Sequence, residues 1–170
     1  MQFHNLKDKI LIIDFGSQVT KLIARRIREL GVYSEIITPK DLKKLKKFNN
    51  IKGLVMSGGP STVTSSSFES VPKDIFKKKI PILGICYGLQ LIAKIFGGKI
   101  KSSKKKREFG RAILYKKNTS ILTKNFLNNK RSVWMSHEDA VVKLPKNFKL
   151  IASTKESKLT IIENTKNKIY

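Results

Sequence analysis

Strand-like apolar runs alternate with helix-like stretches through the first hundred residues, and this alternation limits the fold more than any other feature. The runs KILIIDFG, YSEIITP, IKGLVMSGGP and IPILGIC are rich in β-branched residues and bounded by turn residues, as expected of buried strands. The stretches SQVTKLIARRIREL, DLKKLKKF and YGLQLIAKIFGG carry apolar residues at helical spacing. Such units connect right-handedly into a parallel sheet. The pattern predicts an α/β fold with an open, mostly parallel sheet and flanking helices.

The pattern changes after Gly98, where the apolar runs become shorter and are joined by polar turns. The segments KIKSSKKKREFGRAILYK, RSVWMSH, FKLIASTK and LTIIENT predict a mixed or antiparallel extension of the sheet, and the final NKIY predicts the start of another strand. Trp134 and Met135 lie in one of these segments, and we expect both in the core. No linker or repeat interrupts the chain, so residues 1–170 are expected to form a single domain.

The net charge of +24 at pH 7 raises the hypothesis of a nucleic-acid partner, because basic side chains neutralise phosphates. Two features weaken it. The chain has 30 lysines but only 6 arginines, the residue that recognises phosphates and bases bidentately. The basic clusters at 43–47, 77–79 and 104–107 are also scattered, with few aromatic residues between them. The sequence favours a solvated lysine-rich surface, and a charge-driven nucleic-acid-binding protein is the alternative.

Cys86 is the only cysteine, which excludes an intramolecular disulfide framework and fits a reducing compartment. The N-terminal residues lack the pattern of a signal peptide, and no apolar run approaches the ~18 residues of a transmembrane helix. We expect a cytoplasmic protein without a membrane partner.

The segment Gly84-Ile85-Cys86-Tyr87-Gly88 has the form of a nucleophile elbow between the fourth strand and the next helix. Such a turn is so tight that the nucleophile adopts strained backbone angles and glycines are needed two positions away. A helix N-terminus favours a thiolate, and the N–H of Tyr87 is placed to donate to an oxyanion. The alternative is a buried structural cysteine, as most single cysteines are.

Two other predicted strands also end in distinctive residues, DFG at 14–16 and SGGP at 57–60. Ligands of open α/β sheets bind at the carboxyl ends of the strands, so we expect these turns to meet the Cys86 elbow. The glycine turn could supply a second oxyanion N–H, or it could be an ordinary Gly-Pro turn. A phosphate-binding P-loop is disfavoured because its Lys-Ser/Thr pair is missing.

The segments GLVMSGGPSTV, PILGICYGLQLIA and RSVWMSHEDAVVKLP together resemble class I glutamine amidotransferases. ILIIDFGSQVTKLIARRIRELGVYSEI and VWMSHED resemble, more narrowly, the glutaminase domain of GMP synthetases. The resemblance runs from Lys9 to Tyr170 with the motifs in the family's order. It implies a domain that hydrolyses glutamine through a cysteine thioester and supplies ammonia for GMP synthesis from xanthosine monophosphate.

The resemblance also implies roles for single residues. Cys86 would attack the side-chain amide of glutamine, and the backbone N–H groups of Gly59 and Tyr87 would hold the oxyanion. No metal site is implied. The residues that would surround the glutamine substrate are Gly58, Gln90, Ser136, His137 and Asp139.

Two departures from the family pattern bear on activity. Glu138 stands where relatives commonly have glycine. The family's catalytic His-Pro-Glu segment is not found, and the chain's two histidines, His4 and His137, lie in other contexts. We therefore expect a domain incomplete at its C-terminus, able to form a covalent adduct but poor at turnover. A catalytically incomplete binding or regulatory module of the same fold is the alternative.

The resemblance implies that the domain itself needs no cofactor. ATP and Mg²⁺ would belong to an ATP-pyrophosphatase or synthetase domain, in the same or a separate chain, that accepts the ammonia. That domain is marked by an SGGxDS loop. The only similar segment here is the glycine turn at 58–61, which lacks the aspartate. We therefore expect no ATP-pyrophosphatase domain within the 170 residues.

Overall fold

A computed structural model describes residues 8–102 and 108–170, and a parallel sheet organises the first half. Its four strands lie in the order β2-β1-β3-β4, and every neighbouring pair is parallel. The predicted α/β architecture is confirmed. The elements follow in the order β1 (Lys9–Ile13), α1 (Thr20–Glu29), β2 (Ser34–Ile37), α2 (Pro39–Lys44), β3 (Ile51–Met56), a 3₁₀ helix (Lys73–Lys77), β4 (Ile82–Gly84) and α3 (Tyr87–Ile95).

The parallel sheet is apolar on both faces, as its continuous hydrophobic runs predict. One face belongs to the main core, where Leu11 and Met56 pack with Leu91 of α3. The other face carries Ile12 and Val55. Helix α1 covers part of this second face. No helix in residues 8–102 or 108–170 is long and apolar enough to cross a membrane.

Helix α1 buries less of its apolar surface than its spacing suggests. Ala24 is buried against the sheet and Ile23 is partly buried there. Leu22, in contrast, is 48% exposed, and Leu30, which follows the last helical residue, is 82% exposed. Part of the predicted apolar stripe therefore faces outward.

The second half forms the predicted antiparallel extension. One sheet has the strand order β10-β9-β6-β7, and β5 pairs with β8 in a separate ribbon. The long strand predicted after Gly98 is two strands, with residues 103–107 between them outside the described residues. Strand β8 has no counterpart in the prediction. The strands are β5 (Lys99–Ser102), β6 (Glu108–Lys116), β7 (Lys130–His137), β8 (Asp139–Lys143), β9 (Lys149–Ser153) and β10 (Ile161–Glu163).

Of two further sequence predictions, the one for Trp134 is wrong and the one for the last residues of the chain is confirmed. The core position expected for Trp134 is wrong, because its side chain is 83% exposed. Trp134 pairs with Arg111 on the outward face of the β6–β7 ladder. The start of a strand expected at the end of the chain is confirmed, since Ile169 forms a parallel bridge to Ile82 of β4.

The start of α3 is pressed directly onto the end of β3. A Cβ added at Gly88 would lie 2.3 Å from the carbonyl oxygen of Met56, and one added at Gly84 would lie 2.8 Å from backbone atoms of the same helix turn. Both positions therefore require glycine for space, as the elbow pattern predicts. The contact fixes α3 against the carboxyl edge of the parallel sheet.

Gly88→Ala is expected to destabilise the fold because the new methyl group meets backbone that cannot move aside. Overpacking of this kind costs about 1–3 kcal/mol. Gly53→Ala is the matched control, since its Cβ meets only the terminal methyl group of Ile10 at close range. Urea denaturation should show a clear fall in the free energy of unfolding for Gly88→Ala and a smaller one for Gly53→Ala. Equal effects would contradict the proposed contact.

Candidate active site

Cys86 lies in the sharp turn between β4 and α3 and has a strained backbone. Its φ of 52° and ψ of −107° are rare for a residue with a side chain. Tyr87 begins α3 directly afterwards. The nucleophile elbow predicted from the glycine spacing is confirmed as a conformation. The Cys86 side chain is half-buried, and the residue lies at the N-terminus of α3, as in a nucleophile elbow.

The glycine turn after β3 lies against the elbow, as expected for the carboxyl ends of neighbouring strands. A Cβ added at Gly58 would lie 3.5 Å from the Cβ of Cys86, which is ordinary van der Waals contact. At Gly59 an added Cβ would lie 2.4 Å from the carbonyl oxygen of Phe15, at the end of the β1 segment. The three strand-end turns singled out in the sequence therefore meet.

Ser57, to which the sequence alone assigns no role, ties these turns together. Its backbone N–H donates to the Ile13 carbonyl at 3.0 Å, and its hydroxyl oxygen accepts from the N–H of Phe15 at 3.1 Å. Its carbonyl accepts from the N–H of Gly88 at 3.1 Å. Ser57 is fully buried, so these bonds satisfy its polar groups. A serine placed just before a strand-end Gly-Gly pair is the signal that could have identified it.

A cavity of about 400 Å³ opens beside Cys86 and is lined largely by polar residues. This volume lies within the range of small-molecule sites, ~300–1,000 Å³. Of the residues predicted for the site, Gly58 and Tyr87 do not line the cavity. Gly58 packs against Cys86, and Tyr87 follows it in the chain. The predicted residues that line the cavity are Gly59, Cys86, Gln90, Ser136, His137 and Asp139. Pro60 and Glu138, named above without a site role, also line it, and the lining residues that the prediction missed are Ser61, Thr62, Ser102 and Phe109.

Asp139 connects the antiparallel half of the molecule to the parallel half. The Gln90 side chain donates from Nε2 to the Asp139 carbonyl at 3.0 Å, and the Thr62 hydroxyl donates to the Asp139 carboxylate. Gln90, one turn into α3, thus positions the loop on the opposite wall of the cavity. The connecting loop of residues 136–139, which comprises the last two residues of β7, Glu138 and the first residue of β8, is therefore held over the elbow.

Burial is the largest influence on the Cys86 thiol and raises its pKa above the ordinary value. A hydrogen bond from the backbone of Tyr87 opposes this effect, and the negative charge of Asp139 adds to it. From the sequence, the helix N-terminus is expected to favour the thiolate of Cys86. For the free site this expectation is wrong, because the pKa of Cys86 is raised overall. Asp139 is 53 positions from Cys86 in the chain, so the local pattern could not reveal its effect.

Asp139→Asn is expected to lower the pKa of Cys86, because the substitution removes a negative charge that disfavours the thiolate. Asparagine keeps an oxygen that can accept from Thr62. Since Cys86 is the only cysteine, alkylation of the whole protein by iodoacetamide reports on this thiol alone. The pH midpoint of the alkylation rate should move to lower pH. Asp74→Asn, on the exposed 3₁₀ helix, should leave it unchanged. An unchanged or higher midpoint in Asp139→Asn would contradict the assignment.

Comparison with known sequences gives a consistent result. The family model of the class I glutamine amidotransferases matches residues 11–170. A GMP synthase [glutamine-hydrolyzing] of Borrelia garinii subsp. bavariensis is 47% identical over 95% of this chain and 30% of that relative. The enzyme of the same name from Staphylococcus aureus is 40% identical over 100% of this chain and 33% of that relative. The chain thus spans about a third of the length of these curated relatives.

Solved structures agree with the sequence matches. A GMP synthase subunit from Thermoplasma acidophilum superposes with a TM-score of 0.84 and 32% identity, over 98% of this chain and 83% of that chain. A glutamine amidotransferase of Thermotoga maritima shares the fold, with a TM-score of 0.78 at 21% identity, over 96% of this chain and 74% of that chain. On the family match, which includes the Cys86 elbow and the loop over it, this chain belongs to the class I glutamine amidotransferases.

Proposed function

We propose that this chain is a glutaminase that releases ammonia from the side chain of glutamine, with Cys86 as its nucleophile. The observation that carries the proposal is the strained elbow, which points the only thiol of the chain toward a polar cavity. Family membership supports glutamine as the substrate class. The cavity is also large enough for an amino acid and lined by hydrogen-bonding groups.

In the proposed reaction the Cys86 sulfur adds to the side-chain carbonyl carbon of glutamine. The carbonyl oxygen becomes an oxyanion, which the N–H groups of Gly59 and Tyr87 would hold. Loss of one such donor typically costs about 10²–10³ in rate. Collapse of the tetrahedral intermediate breaks the carbon–nitrogen bond, and the nitrogen leaves as ammonia after gaining a proton. The product on the enzyme is a γ-glutamyl thioester, and water then releases glutamate and the free thiol.

The amino-acid end of glutamine is proposed to bind the loop that carries Ser136, His137 and Asp139. The Asp139 carboxylate complements an α-ammonium group. Gln90 holds the backbone of this loop through a hydrogen bond to the Asp139 carbonyl. Gly58 packs against Cys86. These contacts would place the side-chain amide near Cys86 and the charged end of glutamine at the opposite wall.

We further propose that the ammonia serves GMP synthesis by aminating xanthosine monophosphate. Identities of 40–47% to GMP synthases [glutamine-hydrolyzing] support this role. The relatives are about three times as long as this chain, so the acceptor reaction is assigned to a synthetase unit outside these 170 residues. ATP and Mg²⁺ are proposed to bind that unit.

Cys86 is expected to react covalently with the glutamine analogue 6-diazo-5-oxo-L-norleucine, because the analogue would fill the glutamine site and present its reactive carbon to the thiol. Mass spectrometry should find the adduct on Cys86, and excess glutamine should slow its formation. Cys86→Ser is the control and should give no adduct. Labelling no faster than that of free cysteine, without protection by glutamine, would contradict the proposal.

The 170-residue chain is expected to release ammonia from glutamine only slowly. Proton transfer to the leaving nitrogen and activation of water each call for a positioned acid or base, worth about 10²–10⁴ in rate. The chain contains two histidines, and the one in the described residues, His137, is proposed to hold the substrate rather than to transfer protons. A coupled glutamate dehydrogenase assay of ammonia tests this. Rapid steady release, lost in Cys86→Ser, would show that another group supplies the proton.

A further inference from the structure

Glu108 and His137 form a buried pair, in which His137 lines the cavity and the proposed chemistry gives Glu108 no role. The Nε2 atom of His137 lies 3.2 Å from Oε2 of Glu108. The His137 side chain is 14% exposed and that of Glu108 is 8% exposed. A carboxylate accepts hydrogen bonds, so this contact is made when Nε2 carries the proton and donates it. A buried carboxylate without a partner is unfavourable, so the bond ties both side chains together.

The strand register brings this pair to the start of the glutamine-holding loop. Glu108 is the first residue of β6 and His137 the last of β7, and they lie opposite each other in the antiparallel ladder. The chain then turns through residue 138 into β8 at Asp139. The bond to Glu108 therefore holds the His137 ring at the point where the chain leaves the sheet.

The other end of the loop is held independently. Asp139 accepts hydrogen bonds from Gln90 at its carbonyl and from Thr62 at its carboxylate. Strand β6 thus holds the loop at one end, while α3 and the turn after β3 hold it at the other. Loss of either anchor would leave that end of the loop held by its strand pairing alone.

The second ring nitrogen of His137 makes the arrangement depend on Glu108. Nδ1 is buried and has no hydrogen-bond partner in the part of the chain that the structure describes. An unsatisfied buried nitrogen favours a rotation of the ring toward water. The bond from Nε2 to Glu108 is the contact that opposes this rotation.

We propose that Glu108 is a positioning residue that sets the affinity for glutamine by holding His137 and, through it, the loop of residues 136–139. The inference rests on the proposed function, which assigns this loop to the amino-acid end of glutamine. Glu108 acts through His137 and needs no contact with the reacting atoms. Its loss should therefore weaken glutamine binding more than it changes the intrinsic reactivity of Cys86.

Two measurements on Cys86 separate these effects. Labelling by 6-diazo-5-oxo-L-norleucine at increasing glutamine gives the concentration for half-protection, and labelling by iodoacetamide gives the reactivity of the thiol itself. Small displacements in a site can cost up to about 10²-fold, so Glu108→Ala should raise the half-protection concentration roughly 10- to 100-fold. The iodoacetamide rate should stay close to that of the wild type. Glu108→Gln keeps the shape and one hydrogen bond and should give an intermediate result.

Glu163→Ala is the matched control. Glu163 is 4% exposed and accepts a hydrogen bond from Ser120, so its loss also disturbs a buried carboxylate. Its partner Ser120 does not line the cavity, whereas His137, the partner of Glu108, does. Thermal denaturation should show destabilisation in both alanine variants, but half-protection by glutamine should change only in Glu108→Ala. An equal rise in both would assign Glu108 a general structural role and overturn the inference.

An imidazole spectrum adds a readout that does not depend on glutamine. His137 shares the spectrum with only one other histidine, His4. A ¹⁵N-resolved signal of the Nε2 proton, protected from exchange in the wild type and in Glu108→Gln, should disappear in Glu108→Ala. If Glu108→Ala does not fold, the half-protection concentration of Glu108→Gln decides the question, because a value equal to that of the wild type would contradict the inference.

The outcomes distinguish the inference from the proposed function. Wild-type labelling that glutamine does not slow would contradict the glutaminase proposal and the inference with it. Wild-type protection with an unchanged half-protection concentration in Glu108→Ala would contradict only the role of Glu108. A lower iodoacetamide rate with unchanged protection would mean that the pair acts on the thiol, which also overturns the inference.

Discussion

The contact between Gly88 and the carbonyl of Met56 is the constraint on which the site depends. Backbone packs on backbone there, so helix α3 cannot move away from β3 without opening the core. The chain must then reverse within the few residues from Gly84 to Gly88, and Cys86 takes the positive φ that this reversal requires. The strain is stored at one residue and offset by the burial of Leu91 and Ile92 behind it.

The two halves of the molecule contribute different parts of the site. The parallel half supplies rigid backbone, since the elbow and the glycine turn are joined through Ser57 at the ends of adjacent strands. The antiparallel half supplies the side chains of the facing loop. Asp139 joins the halves by accepting bonds from Gln90 and Thr62. A nucleophile fixed on one half can therefore work with a substrate held mainly by the other.

Sequence reasoning succeeded where local pattern determines structure and failed where distant residues meet. The parallel sheet and the elbow at Cys86 were predictable, because hydrophobic runs and glycine spacing are properties of short segments. The exposure of Trp134 was not, since alternation along a strand does not tell which face is covered. The bond between Glu108 and His137 was equally hidden, because it depends on the register of β6 and β7. The roles proposed for the site residues stay predictions.

The electrostatics of the free site suit a thiol that is activated only when substrate is bound. Burial and the charge of Asp139 raise the pKa of Cys86, which disfavours the thiolate, the reactive form of the side chain. In the proposed complex the α-ammonium of glutamine lies at Asp139, where its positive charge offsets that of the carboxylate. The effect of the Asp139 charge on the pKa of Cys86 is then smaller when the side-chain amide of glutamine lies beside the thiol. Asp139 would thereby serve both to bind glutamine and to delay the formation of the nucleophile until glutamine has bound.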